Sequence, residues 1–279
     1  MSLFDKFRKK PKASKSAPEA EAKEQAPALL HTDNGGHGDN FGGLLGFEYI
    51  STPEGNQRIN ELIALSVSYP PLIRQEDASL FQLAIIPEEP RLMIRSIVRD
   101  ETLRSAFPFL QSEAIIPGNI NTITEWSHVA GLEAEIAGAG RDTFGFGFFP
   151  TDYAVHKAKY HTTATVPLRI SGLVLVLTTN EQESIGEHQL SDSFAGFFPS
   201  TDIPRPPYFD FIGPVSKVEP VMEQEELMGY IFRLKLINQE GDPDFFTIPA
   251  FVNKANMRME TIREGMRVSG LLWLMAELA

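Results

Sequence analysis

Residues 144–161 read FGFGFFPTDYAVHKAKYH, and this stretch carries the strongest local signal of secondary structure in the chain. Three phenylalanines alternate with two glycines, as side chains do when they point to opposite faces of a β-strand. After a proline and a threonine, Asp152 stands where it can cap a helix over residues 153–160. The stretch therefore predicts a strand that runs directly into a short helix.

The two faces of this predicted strand admit different interpretations. An aromatic face can stack bases or a ligand, with Phe144 and Phe146 as the contacts, and a glycine face lets another backbone or a ligand approach closely. We favour a structural interpretation, with the phenylalanines in the core and the glycines at a bulge or a tight contact. Phenylalanine is commonly buried, and no basic residue is interleaved here.

The candidates for catalysis are His156, Asp152 and His128. Asp152 and His156 are four residues apart, on neighbouring turns of a helix, and a histidine beside a carboxylate or beside Tyr153 can act as a general acid or base. We favour Asp152 as an N-cap and His156 as a surface or packing residue. His161 lies off that helix face, and GxSxG, HExxH and DxDxDG motifs are absent, so we predict no metal site and no cofactor.

Composition limits the function classes. The chain has 279 residues, 42% of them hydrophobic, which is typical of a globular protein with a substantial core. Its formal net charge of -12 disfavours nucleic-acid binding, because that binding depends on lysine and arginine at phosphates. The chain has no cysteine, so zinc-thiolate sites and a cysteine nucleophile are excluded. No signal peptide or membrane span is predicted, and we expect a cytoplasmic protein.

Residues 1–43 are predicted to form a disordered basic leader and a glycine-rich linker. Residues 1–15 contain six lysine or arginine residues and one aspartate, and Leu3, Phe4 and Phe7 would share one face of a helix. This pattern suits contact with a membrane surface or a docking partner, although a solvated leader is favoured. The glycine-rich stretch 31–43 is predicted to be a flexible turn region rather than a metal or nucleotide loop.

The predicted first domain, residues 44–203, mixes helices and strands. Ser51 and Glu54 have capping-box spacing, and Pro53 lies in the first turn of a helix predicted within residues 51–68. The other predicted elements are strands at 80–87 and 91–98, a short helix at 100–107 and a hairpin through 137–142. The apolar stretch 166–179 fits either a buried strand or a buried helix, and its β-branched residues favour a strand.

Residues 204–279 are predicted to form a small C-terminal β-barrel, OB-like or SH3-like, because four or five strand-like segments are separated by short polar turns. The fold class predicted for the whole chain is therefore α+β followed by a barrel. One face of such a barrel often binds ligands. The predicted binding residues over the whole chain are Phe144, Phe146, Tyr153, Tyr208, Tyr230, Phe232, Arg233 and Lys235.

Three segments resemble, in the same order, a group of uncharacterised bacterial proteins. They are GFFPTDYAVHKAKY at 147–160, YFDFIGPVSKVEPV at 208–221 and VSGLLWLMAEL at 268–278. The resemblance covers roughly residues 125–279, and the chain departs from it at Met275 and Ala276, where such proteins often have glycine. It implies a bacterial origin and a barrel-like C-terminal module, and it brings no activity with it.

These observations favour a non-enzymatic intracellular interaction or regulatory protein with an unidentified protein partner. Two alternatives stay open. One is a β-barrel that binds an oligonucleotide or a small ligand. The other is a hydrolase that uses a histidine and a carboxylate.

Overall fold

The computed structural model describes residues 26–140, 144–162, 165–180, 184–185, 188–189, 191, 193–239 and 241–279. The predicted basic leader, residues 1–15, lies outside the described residues. Within the described ranges, no helix is long and apolar enough to cross a membrane.

Four α-helices are assigned in the described part of the chain. They are α1 (Gly38–Leu45), α2 (Phe47–Ile50), α3 (Pro53–Ser66) and α4 (Tyr153–Thr162). The helix predicted within 51–68 is confirmed as α3, but its cap is Thr52, whose hydroxyl accepts the Gly55 N–H at 3.0 Å. The helix predicted after Asp152 is confirmed as α4, which is interrupted at His156.

Strands make up most of the described chain. The first eight are β1 (Ala28–Thr32), β2 (Ile73–Arg74), β3 (Ser79–Ile86), β4 (Glu89–Arg99), β5 (Thr102–Leu110), β6 (Ile115–Trp126), β7 (Ala134–Gly140) and β8 (Gly145–Pro150). The others are β9 (Thr165–Thr179), β10 (Ser184–Ile185), β11 (His188–Gln189), β12 (Gly196–Pro199), β13 (Tyr208–Glu223), β14 (Glu226–Gln239), β15 (Asp242–Asn253) and β16 (Arg267–Leu278). Strands β7 and β8 pair antiparallel, which confirms the predicted hairpin.

Ten strands form one mixed sheet in the order β1-β6-β7-β8-β16-β9-β15-β14-β13-β12. Two further pairings, β6 with β9 and β16 with β13, close this sheet into two rings. The first ring contains β6, β7, β8, β16 and β9, and the second contains β9, β15, β14, β13 and β16. The antiparallel β9–β16 pair therefore belongs to both rings.

The central residues of both shared strands are covered on both faces, which explains their apolar runs LVLVL at 173–177 and LLWLMA at 271–276. Two strands covered on both sides have no reason to alternate with polar residues. In β9, Val174 packs into one core while Leu173 and Leu175 pack into another. In β16, Leu272 and Trp273 divide between the same two cores. The first core fills the interior of the two rings. The second core lies outside the rings, between the large sheet and the smaller sheet.

The smaller sheet covers this second core. Strands β2, β3, β4 and β5 form an antiparallel meander, and α3 packs on β3 and β4. Fully buried side chains such as Phe107 and Leu110 on β5 meet Trp273 and Met275 of β16 in one cluster. The smaller sheet thus stabilises the shared pair from outside the rings.

The predicted fold class, α+β followed by a small C-terminal barrel, is wrong. The structure is mostly β, and strands on both sides of residue 203 hydrogen-bond in one sheet: β16 pairs with β8 and β9, and β15 pairs with β9. The strands of residues 204–279 form a closed ring only with β9. Local sequence patterns identified most of these strands, but they cannot select partners about a hundred residues away along the chain.

Two local predictions in the first half also differ from the structure. Residues 100–107 are not a helix, because Asp100 and Glu101 have positive φ angles of 51° and 57° and form a tight turn into β5. The glycine-rich residues 31–43 are not a loose linker, because they include the end of β1 and most of α1. Gly35 fits there because a β-carbon would overlap the Trp126 ring.

Adding a methyl group at Gly270 tests whether the close approach of β9 and β16 stabilises the fold. In β16, a β-carbon at this position would overlap the carbonyl oxygen of Val176 in β9. We expect Gly270→Ala to lower the free energy of unfolding by about 3 kcal/mol or more, since the backbone must shift to relieve the overlap. Urea denaturation measures this loss.

Gly145→Ala is the matched control, because a β-carbon there meets no atom closer than the Gly138 oxygen at 4.0 Å. We expect it to change stability by about 0.5 kcal/mol or less. Equal stability of the two variants would contradict the importance of close backbone approach at the shared pair.

Candidate functional site

Strand β8 separates the two cores. Phe146 and Phe148 are buried in the first core, where Phe144 is half-buried and stacks on Phe146 with ring centroids 5.6 Å apart. Phe149 points the other way and joins the second core. The aromatic face of the opening stretch is thus directed into the protein, and it presents no exposed stacking platform.

The glycine face of β8 borders an apolar cleft of about 490 Å³. Gly145 is exposed beside open space, whereas a β-carbon at Gly147 would overlap the carbonyl oxygen of Pro206. The opposite wall is the loop that follows β12. We call this feature the glycine–proline cleft, and its lining residues are Ala137, Gly138, Gly145, Phe146, Gly147, Pro199, Ser200, Pro204, Arg205, Pro206 and Phe209.

One edge of β8 lacks a strand partner along most of its length. Strand β7 pairs with β8 from Gly145 to Phe148, whereas β16 pairs with β8 only at Phe149 and Pro150. Among the described strands, none pairs with the other edge of Gly145 to Phe148. Backbone N–H and C=O groups at such an edge can pair with an added strand.

The one charged residue that lines the cleft is already neutralised. Arg205 donates from Nε to the Glu135 carboxylate at 2.6 Å, and its guanidinium lies 5.3 Å from the ring centroids of both Trp126 and Tyr208. Burial raises the pKa of Glu135, and the nearby Arg205 only partly offsets this effect. The cleft therefore presents apolar surface and a compensated ion pair rather than a free charge.

Behind the cleft wall, a chain of hydrogen bonds runs through the second core. Tyr208 donates to Asn40 at 2.9 Å, the Asn40 amide nitrogen lies 3.2 Å from Nδ1 of His37, and Nε2 of His37 lies 2.8 Å from Glu133. Because the amide nitrogen can only donate, Nδ1 accepts, so Nε2 carries the proton and donates to Glu133. Ser105 also donates to Glu133, at 2.8 Å.

Aromatic rings enclose His37. Phe149, Trp126 and Phe107 lie 4.9, 5.0 and 5.2 Å from its ring centroid, and the residue is only 8% exposed. Burial also raises the pKa of Tyr208 to about 12. Both ring nitrogens of His37 are engaged, and Ser105 bonds to Glu133 rather than to the histidine. A nucleophile–base contact of the kind used in acyl transfer is therefore missing from this part of the described structure.

The predicted catalytic residues do not line the glycine–proline cleft. The Asp152 carboxylate accepts from Tyr160 at 2.6 Å and from the Leu278 N–H at 3.1 Å, so it fastens α4 to β16. His156 is half-buried at the interruption of α4, and His128 is exposed and stacks on Trp126. Burial raises the pKa of Asp152 despite these donors. Within the described ranges, no group of three His, Asp or Glu side chains could hold a metal ion.

The other predicted binding residues are dispersed. Tyr153, Tyr208 and Phe232 are buried, Tyr230 and Lys235 are half-buried, and Arg233 is exposed. Phe232 and Arg233 line a separate polar cavity of about 420 Å³ with Arg91 and Glu219, which form an ion pair 2.5 Å long. Only Phe146, of all the predicted binding residues, lines the glycine–proline cleft.

Sequence reasoning considered His37 only as a possible metal ligand and favoured a flexible turn there, and it did not identify Glu133, Glu135 or Arg205. The one available signal was the alternation Leu132-Glu133-Ala134-Glu135-Ile136, which puts both glutamates on one face of a strand. Alternation usually marks the solvent side, and here that side is covered by the glycine-rich segment before α1. The alternation therefore predicts that Glu133 and Glu135 face solvent, whereas the structure buries both of them.

A second network joins α4 to β6 through Glu125. Its carboxylate contacts Lys157 at 2.5 Å, Tyr153 at 2.6 Å and His161 at 3.4 Å. Burial alone would raise the pKa of Glu125, but hydrogen bonds from Lys157 and Tyr153 outweigh it and lower the pKa. The same burial, together with Glu125, raises the pKa of Tyr153.

Replacing Glu125 tests this network through its pH dependence. A carboxyl whose pKa is lowered on folding stabilises the protein above its unfolded pKa, about 4.3, and this contribution disappears as the pH falls through the lower folded value. We expect Glu125→Gln to cost about 1–3 kcal/mol at neutral pH and progressively less in acid. Urea denaturation between neutral and acid pH measures the difference, with exposed Glu101→Gln as the control. A cost that did not change with pH would contradict this assignment.

Comparisons with known proteins assign no family to the chain. No family model matches it, and no curated protein sequence matches it. Among solved structures, it has a likeness to the cytoplasmic molybdate-binding protein ModG, in a crystal form with molybdate bound. The two chains share 14% sequence identity with a TM-score of 0.31, over 59% of this chain and 96% of that chain. A score this low supports no conclusion about fold or function.

Proposed function

We propose that this protein is a non-enzymatic binding protein and that the glycine–proline cleft receives an extended peptide segment of a protein partner. The observation that carries the proposal is the unpaired edge of β8 beside an apolar cleft. Strand addition to an open sheet edge takes affinity from backbone hydrogen bonds and specificity from pockets for alternate side chains.

Three features of the cleft support a peptide as the occupant. Gly145 has no side chain to obstruct an approaching backbone. Pro199, Pro204 and Pro206 on the opposite wall have no N–H groups, so they do not compete as donors for the carbonyls of β8. The ion pair between Arg205 and Glu135 leaves no free charge that would call for an anionic ligand.

The other candidate functions receive less support. Base stacking on β14 would need an exposed aromatic face, but Phe232 is 1% exposed. A hydrolase would need a histidine in contact with an activated nucleophile, but His37 bonds to Asn40 and Glu133. The Tyr153 hydroxyl lies 2.6 Å from Nε2 of His161, but it also donates to Glu125, and burial together with Glu125 raises its pKa. We further propose the cytoplasm as the place of action, since a chain without cysteines needs no oxidising compartment.

Peptide selection tests the proposal. Short random peptides displayed on phage are selected against the full-length protein, and their affinities are measured by fluorescence anisotropy. We expect selected sequences that alternate apolar and polar residues. We also expect Gly145→Leu to weaken their binding by about tenfold or more, which corresponds to about 1.4 kcal/mol, because the new side chain fills the approach to β8.

Gly36→Leu is the matched control, because that glycine also faces open space and lies in the segment before α1. It should leave peptide affinity unchanged. Hydrogen exchange supplies the second readout, and amides within 145–148 should exchange more slowly when peptide is bound. Equal binding to Gly145→Leu, or binding of an apolar dye with no slowing of those amides, would contradict strand addition.

A further inference from the structure

A second surface, far from β8 in sequence, combines apolar and acidic residues. The hairpin turn between β13 and β14, the turn between β3 and β4, and helix α3 surround a groove of about 730 Å³. Its apolar lining comes from Ile85, Ile86, Pro87 and Met222, and Met222 is 44% exposed. We call this feature the acidic groove because of its rim.

The rim carries more negative than positive charge. Arg58 on α3 pairs with Glu223 at 3.2 Å, so its charge is already compensated. Glu88 and Glu225 also line the groove, and both are exposed. No described residue forms an ion pair with either of these two carboxylates.

The acidic groove continues into a neighbouring cavity of about 500 Å³, which shares Arg58 and Glu223 with it. This extension adds Glu226 to the acidic rim, and it adds Tyr49 and Met228 to the apolar lining. Tyr49 is 40% exposed. The two cavities therefore lie on either side of the Arg58–Glu223 ion pair.

The first fifteen residues have the complementary composition. Leu3, Phe4 and Phe7 are apolar, and the six lysine or arginine residues are opposed by Asp5 alone. An amphipathic segment that lays apolar anchors in a groove and cations on an acidic rim is a common mode of peptide recognition. Opposite charges across such a surface favour the matching partner and disfavour others.

We propose that residues 3–15 of this chain dock in the acidic groove of the same molecule. Leu3, Phe4 and Phe7 enter the apolar lining, and the lysine and arginine side chains meet Glu88, Glu225 and Glu226. The ten residues between Lys15 and Ala26 can span up to roughly 35 Å, which is nearly twice the radius of gyration of about 19 Å for a folded chain of this length. Docking at this groove is independent of peptide binding at β8.

Paramagnetic relaxation in the full-length protein tests the docking. The chain has no cysteine, so Ser14→Cys supplies a single attachment point for a nitroxide spin label. We expect the label to broaden the amide signals of residues 86–88 and 222–226. We expect the broadening to weaken when the salt concentration is raised from about 50 mM to about 1 M, because the Debye length then falls to about 3 Å.

Two triple variants of the labelled chain provide the comparison. Glu88→Gln, Glu225→Gln and Glu226→Gln together should restore the broadened signals. The control combines Glu76→Gln, Glu101→Gln and Glu264→Gln, three exposed glutamates outside the groove, and should leave the broadening in place.

Each of the following results would overturn the proposal. One is full intensity of the groove amides in the labelled chain, and another is restoration of those amides by the control triple to the same extent as by the groove triple. Broadening only in a mixture of isotope-labelled chain and spin-labelled chain would assign the segment to a second copy. Full groove intensity together with binding to anionic phosphatidylserine vesicles would assign it to a membrane surface instead.

Discussion

The antiparallel pairing of β9 with β16 is the constraint on which the rest of this molecule depends. Its register runs from Val268 opposite Thr179 to Leu278 opposite Leu168, and both strand rings close through it. Because each of the two strands is buried on both faces, the pair supplies side chains to both cores. Loss of this pairing would open both rings and remove one wall of the second core.

The position of the candidate site follows from this arrangement. Strand β8 pairs with β16 only at Phe149 and Pro150, so the rest of that edge has no strand partner, and residues 145–147 of β8 line the cleft. The loop after β12 approaches from the other ring, and Pro206 covers Gly147. The cleft therefore lies where the two rings separate, and the buried network from Tyr208 to Glu133 holds the wall behind it.

Sequence patterns predicted the local elements well and the architecture poorly. The β7–β8 hairpin, α3 and α4 follow from alternation, capping residues and turns, which involve near neighbours in the chain. The run LVLVL in β9 favours a buried strand over a buried helix, but its composition cannot reveal that two different cores cover its two faces. The ring closures pair β16 with strands about a hundred residues earlier, and no local pattern selects such a partner.

The residues of the candidate site show the same difference between local and long-range information. The sequence indicated the glycine face of β8, because the Phe-Gly alternation is local. It did not indicate Glu133, Glu135 or His37 as buried, because alternating glutamates usually face solvent and a glycine-rich stretch usually forms a loop. Burial of these residues depends on how residues 33–46 fold over Trp126, and that contact is long-range.

Native-state hydrogen exchange tests the central role of the shared pair most directly. If both rings depend on the β9–β16 pairing, the protected amides of β9 and β16 should exchange only through global unfolding, and those of β6, β7, β14 and β15 should share the same opening free energy. If β14 and β15 exchanged through a separate opening of lower free energy while β9 and β16 stayed protected, the second ring would open independently and the account would be contradicted.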